Sequence, residues 1–334
     1  MSDSNAMTGR ERCACSAPAR RLCDDCESVG ATFFACSLAC LDRHRGEAHG
    51  RRGADSVTRA RARIREENSR AEGERETDSA HRQRLLSLAL ELPQGDALCV
   101  FAAGNADELD LERLVTHFRE VHLVDLDDQA LVRARDRQSA AVRSKIVLHE
   151  GVDASGLLEH LDDWGDRFPE HAELARVATE AAQSIVHGLG ATFPAVISAC
   201  VLNRFALPFQ QAWLASRSHW TALLSTMRAI HLATLAGAAR SGGRCLLAFD
   251  VASSREMPAL AEQRQRAQDE LSEFVHDALD AGALHLRPDP GTLIAQLASP
   301  GMRSLVSEPR LSEPWLRHRD AETELVYGVS FDRP

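Results

Sequence analysis

The chain has 334 residues and a net charge of −10, and that acidic balance argues against a whole surface built to lie along nucleic acid. Hydrophobic residues make up 44% and charged residues 26%, the proportions of a water-soluble globular protein with chain enough for a real core. No apolar run reaches the roughly 18 residues of a membrane span, and no apolar signal-type stretch opens the chain, so a cytoplasmic setting is expected, with no membrane partner.

In a reducing compartment the nine cysteines read as metal ligands or core residues rather than disulfides. Six lie between Cys13 and Cys40, as Cys13-x-Cys15, Cys23-x2-Cys26 and Cys36-x3-Cys40, and His44 and His49 follow. These eight ligands in four close pairs fit two tetrahedral Zn²⁺ sites. The alternative is a redox or disulfide cluster. Residues 1–50 are too few to fold on an apolar core alone, so metal binding would supply much of their folding free energy.

The run Phe34-Ala-Cys-Ser-Leu-Ala-Cys-Leu-Asp-Arg-His44 resembles the second half of HIT-type and MYND-type zinc fingers, whose ligands interleave in a cross-brace. The resemblance implies one zinc on Cys13, Cys15, Cys36 and Cys40, and a second on Cys23, Cys26, His44 and His49. The chain departs from those families in its first pair, Cys-x-Cys for Cys-x2-Cys, and in its last ligand, His49 for a cysteine. The final His-x4-His is also similar to B-box fingers. These families act mainly as protein-interaction modules, so the resemblance implies a protein partner for the finger.

Residues 51–80 carry arginines from Arg51 to Arg65 and then Glu66, Glu67, Glu72, Glu74 and Glu76. This mixed charge reads as a solvated helical linker. A basic patch for nucleic acid is the sharper alternative, weakened by the acids that follow and the lack of interleaved aromatics. His81 to Leu92 has the pattern of an amphipathic helix, ended by Pro93 and Gly95.

Residues 81–334 then alternate strand and helix. Strands are expected at Leu98–Ala103, Glu120–Asp125, Lys145–His149, Phe193–Cys200 and Arg244–Phe249, with helical segments between them, a long one over 209–239 included. Two further strands, Arg303–Val306 and Glu324–Phe331, are expected to close one edge as an antiparallel hairpin. The sum is an α/β fold, a doubly wound, mainly parallel seven-stranded sheet preceded by the small zinc-binding module.

The stretch from Ala97 to Asp127 puts a Gly104-Asn105-Ala106-Asp107 turn beside Asp125 at the tip of the next strand, where a carboxylate can grip a ribose. The dinucleotide fingerprint Gly-x-Gly-x-x-Gly is absent. Taken with Val124-Asp125-Leu126-Asp127, Glu150-Gly-Val-Asp153-Ala154, Pro194 to Leu202 and Arg240 to Val251, the turn resembles class I S-adenosylmethionine-dependent methyltransferases, a Rossmann-like family, over roughly residues 80–332. In that family five parallel strands are completed by an antiparallel hairpin. The resemblance implies S-adenosylmethionine as cofactor, held by Ala102, Gly104, Asn105, Asp107, Asp125, Leu126, Asp153, Ala154, Ala199 and Cys200. Within that set Asp125 would take the ribose hydroxyls and Asp153 the adenine amine. The glycine motif departs from the family by keeping only Gly104.

The implied activity is methyl transfer to an unknown small molecule or protein, with the finger recruiting a partner or substrate; the alternative is a non-catalytic zinc-finger adaptor with a degenerate methyltransferase fold. The Asn/Asp-Pro-Pro-aromatic motif of nucleic-acid amino-methylases is missing after the fourth strand. Asn203, Arg204, His219 and Asp250 are the candidates at the catalytic rim, and none is distinguished as a base. Cys99, Cys200 and Cys245 read as strand-core thiols.

Overall fold

The computed structural model describes residues 56–71, 78–164, 168–206, 209, 217–263, 268–284, 286, 288–319 and 322–334, together with two short strands, β1 (Arg21–Leu22) and β2 (Phe34–Ala35). β1 and β2 pair antiparallel, Arg21 opposite Ala35. All eight proposed zinc ligands lie outside the described residues.

Among the described residues two helices, α1 (Ser56–Arg70) and α2 (Ser79–Leu90), lead into the sheet. Then follow β3 (Gly95–Phe101), α3 (Leu111–His117), β4 (Phe118–Asp125), α4 (Asp128–Asp136), the short α5 (Ala140–Arg143) and β5 (Ile146–Glu150). A 3-10 turn (Leu158–His160) and α6 (Leu161–Trp164) precede α7 (His171–Leu189) and β6 (Phe193–Ala199). The long α8 (Arg217–Ala238) feeds β7 (Ala239–Ser253), and α9 (Ala259–Glu262), α10 (Gln268–Asp280) and α11 (Pro290–Leu297) follow. The chain closes with β8 (Ser307–Leu311), β9 (Trp315–Arg319) and β10 (Glu322–Asp332).

The strand order is β5-β4-β3-β6-β7-β10-β8, with β9 also on β10. β5, β4, β3, β6 and β7 run parallel, and β10 inserts antiparallel beside β7. Side chains alternate across a strand, so each strand feeds both faces. Cys99 and Phe101 of β3 face one core with Leu223, Met227 and Ile230 of α8, while Leu98 and Val100 face the other with Leu85, Leu114 and Leu131. Near-continuous apolar runs such as Phe193–Ile197 are what a sheet covered on both faces demands. This is a doubly wound, Rossmann-like α/β fold.

Two expectations change. Arg303–Val306 lies in turns, and its place as partner of the last strand is taken by both β8 and β9, so the sheet has eight strands rather than seven. Ser307–Leu311 is mostly exposed and polar, as an edge strand can be, and offered no apolar signal. The charged segment after residue 55 is helical, but α1 is seated on the domain: Ala60 is in the core and Asn68 is buried. None of the described helices is long and apolar enough to cross a membrane.

Candidate functional site

Parallel strands end together at their carboxyl tips, and the loops leaving β3, β4, β5 and β6 wall a cavity there. The β3 loop decides its floor. Ala102, Gly104 and Ala106 all adopt positive φ, at 51°, 50° and 52°. The backbone thus takes the alternating left-handed path of a glycine motif with alanine at two of its three positions, at a cost of about 1–2 kcal/mol for each alanine.

The loop is held from three sides. Gly104 N–H donates to Asp125 Oδ2 at 2.8 Å, and Asp127 N–H donates to the other oxygen, Oδ1, at 2.8 Å. Asn105 Oδ1 accepts from Arg133 Nε at 3.1 Å, its carbonyl accepts from Arg137, and Asp107 pairs with Arg137 at 2.9 Å. From α1, Asn68 Nδ2 donates to Asp127 Oδ2 at 3.0 Å, and its carbonyl accepts from Asn105 Nδ2 at 2.6 Å. Asp127 also caps α4 through Gln129 and Ala130 N–H. A Cβ on Gly104 would stand 3.3 Å from Asn68 Oδ1, so this loop and α1 are fitted to each other.

Asp125 is buried at the β4 tip. Burial raises its pKa to about 6, partly offset by the N–H groups of Asp127, Gly104 and Leu126. Three backbone N–H groups thus serve its two oxygens, which leaves the carboxylate with lone-pair capacity to spare. Asp153, after β5, turns its carboxylate inward. Oδ1 accepts from Ser155 N–H and Oγ, and Oδ2 from Leu158 N–H at 2.9 Å, so it caps the following 3-10 turn.

Of the ten residues expected at the cofactor, nine line this cavity: Ala102, Gly104, Asn105, Asp107, Asp125, Leu126, Asp153, Ala154 and Ala199. Cys200 does not. It faces a second, adjoining cavity with its backbone at φ 50°, and burial pushes its thiol well above the ordinary range, against the pull of Arg317. Cys99 and Cys245 are buried core thiols, as expected.

Asn203 and Asp250 come together: Asn203 Nδ2 donates to the Asp250 carboxylate at 2.7 Å and to its carbonyl at 2.9 Å. Arg204 lines both cavities. His219 is on α8, and its side chain lies outside the described residues. His231 is buried, bonded to Ser198 Oγ at 2.8 Å, and burial lowers its pKa to about 4, so it is a neutral core histidine.

A buried ionic cluster stands where the cavities meet, and most of it was not legible in the sequence. Arg317, in β9, pairs with Glu108 at 2.6 Å and Glu324 at 2.5 Å, with Asp250 3.7 Å away. Burial alone would raise the Glu108 carboxyl, yet Arg317 and His81 hold it well below the usual carboxylate range. His81 Nδ1 accepts from Trp315 Nε1 at 2.9 Å. Indole N–H only donates, so the neutral imidazole carries its proton on Nε2, which points at Glu108 Oε2, 3.6 Å away. The ligand-type atoms of His81, Glu108 and Cys200 lie within 4.8 Å of one another, but a protonated Nε2 is no metal ligand. The group is an ion-pair cluster.

No protein-family model matches the chain, nor does any curated protein. Among solved structures, a SAM-dependent methyltransferase from Anabaena variabilis is 13% identical, covering 76% of this chain and 84% of its own, with a TM-score of 0.39. The N-methyltransferase NodS from Bradyrhizobium japonicum is 15% identical over 76% of this chain and 94% of its own, at 0.32. An rRNA methylase from Streptococcus thermophilus is 12% identical over 76% and 97%, at 0.33. At these scores the fold rests on the strand order and the two cores described above, and function rests on the cavity.

Proposed function

We propose that the domain binds S-adenosylmethionine in the first cavity and transfers its methyl group to an acceptor held in the second. The observation that carries this reading is Asp125, a buried carboxylate at the β4 tip with acceptor capacity to spare, beside a left-handed β3 loop. The antiparallel β10 beside five parallel strands agrees with the methyltransferase resemblance.

The donor set fits the cofactor. Asp125 would take ribose hydroxyls, and Leu126, Val152, Ala154 and Phe205 on the cavity wall would pack the adenine. The amino-acid tail is zwitterionic, and Glu108 and Arg204 on the same wall would meet its two charges. Gly104 N–H is already committed to Asp125. Bound there, the cofactor supplies an electrophilic methyl on sulfur. The protein supplies position, through the clamped loop, and exclusion of water, through α1 and β9. Asp250, fixed by Asn203 and Arg317, stands at the rim of the second cavity and is the group we assign to acceptor orientation.

The N-terminal module we read as a two-zinc finger that engages a protein partner. Elemental analysis of purified protein is expected to give two zinc ions per chain, and less than one would refute the finger. Saturable binding of S-adenosylmethionine, lost in Asp125→Ala, tests the cofactor site; a folded protein that does not bind it would be the non-catalytic adaptor instead.

A further inference from the structure

The second cavity adjoins the first through Glu67, Ala71, Arg204, Arg317 and Arg319, which line both. The carboxylates on its wall are largely engaged. Asp250 meets Asn203 and Arg317, Glu324 meets Arg317, and Glu322 pairs with Arg255 at 3.0 Å. Asp289 caps α11 through Thr292 N–H at 2.8 Å, and Glu67 pairs with Arg63 at 3.3 Å. Glu256 is exposed to solvent.

Arg228, a cation on the same wall, has no such answer. Arg228 lies on α8 with Thr221 and Leu224 near helical spacing on the same side, and all three line the cavity. Among the described residues Arg228 makes no hydrogen bond or ion pair, and its Nε is buried without a partner. Burial lowers its pKa and no carboxylate opposes the shift. A guanidinium stays charged in proteins, so a half-buried one without a counter-charge is a standing cost to the fold. Its two terminal nitrogens, which are not buried in this way, form a donor pair able to meet the two oxygens of a carboxylate.

We infer that Arg228 anchors a carboxylate of the methyl acceptor, which is a small-molecule acid whose other end reaches the first cavity past Arg204 and Arg317. This rests on the methyltransferase reading for its second half; the anion site itself does not. No bond is made or broken at Arg228, which binds and orients.

The test follows the melting temperature of the whole, zinc-loaded chain in chloride, acetate and inorganic phosphate at fixed ionic strength, for the native protein and Arg228→Met. S-Adenosylmethionine binding to both is followed by calorimetry. Acetate is expected to raise the native Tm over chloride by roughly 2–4 °C. Arg228→Met is expected to melt higher than the native protein in chloride, to lose the acetate increment, and to keep its cofactor affinity. Arg228→Gln serves the same comparison should the Met variant fail to fold. Equal acetate increments in native protein and variant, no increment in the native protein, or a variant that melts lower would overturn the site. A phosphate increment without an acetate one would overturn the carboxylate in favour of a phosphorylated ligand. Failure of the native protein to bind S-adenosylmethionine while the Arg228-dependent increment persists would overturn the acceptor role and keep the anion site.

Discussion

Asp125 does two things with one carboxylate, and its titration can separate them. It pins the β3 loop through Gly104 N–H, and it faces the cavity from the β4 tip. Its pKa stands near 6 against an ordinary 3.8, so the ionised form is the one the fold disfavours. Its contribution to stability is therefore fully present below pH 3.8 and is lost as pH rises through 6. Ligand binding has the opposite sign, because ribose hydroxyls donate to the ionised form. Affinity for S-adenosylmethionine is expected to fall up to about tenfold per pH unit below pH 6, and to lose that dependence in Asp125→Asn. A flat profile in the native protein would mean that Asp125 does not meet the ligand.

The alanines of the same loop give a stability test at single residues. Ala102→Gly relieves a left-handed φ at a half-buried position and is expected to stabilise by about 0.5–1 kcal/mol, read from denaturant unfolding. Ala106→Gly should gain less, since Ala106 is buried and its methyl packs in the core of the α3 side. Destabilisation by Ala102→Gly would contradict the strain assigned there.

At the scale of elements, α1 is the piece whose role changes most. Arginines at every second position from Arg59 to Arg65, followed by Glu66 and Glu67, give it a polar look, and polarity without a wide apolar face reads as solvent exposure. Its inward residues, Val57, Ala60, Ile64 and Asn68, recur at helical spacing but make only a narrow stripe, since one is alanine and one is polar. Asn68→Ala removes a hydrogen bond to the Asp127 carboxylate and is expected to cost about 1–3 kcal/mol and weaken cofactor binding. If α1 were only a connector, both quantities would stay at native values. The β9 strand escaped for a related reason. Trp315-Leu-Arg-His-Arg319 turns Trp315 and Arg317 to a buried side, and an arginine at 2% exposure is not a residue that alternation marks as core. Glu108 and His81, which face it, come from the loop after β3 and from α2, so only the fold brings the cluster together.

The whole molecule was more legible than its sites. Apolar runs of strand length separated by amphipathic segments named the five parallel strands, because a sheet covered on both faces needs such runs. The acid at the β4 tip was legible for the same reason, since Asp125 ends an apolar run beside a turn. Asp153 was legible as an acid at a strand tip, but its commitment to Ser155 and Leu158 depends on loop geometry that spacing does not encode. The edge strand β8 was not legible, since Ser-Glu-Pro-Arg-Leu311 holds a proline and no apolar run.

The central claim is that the first cavity is a cofactor site, and one measurement bears on it most directly. Isothermal calorimetry of S-adenosylmethionine into the folded chain should show saturable binding at one site per chain, abolished by Asp125→Ala in a variant that still folds. No heat of binding up to high micromolar ligand, or undiminished binding in Asp125→Ala, would contradict it.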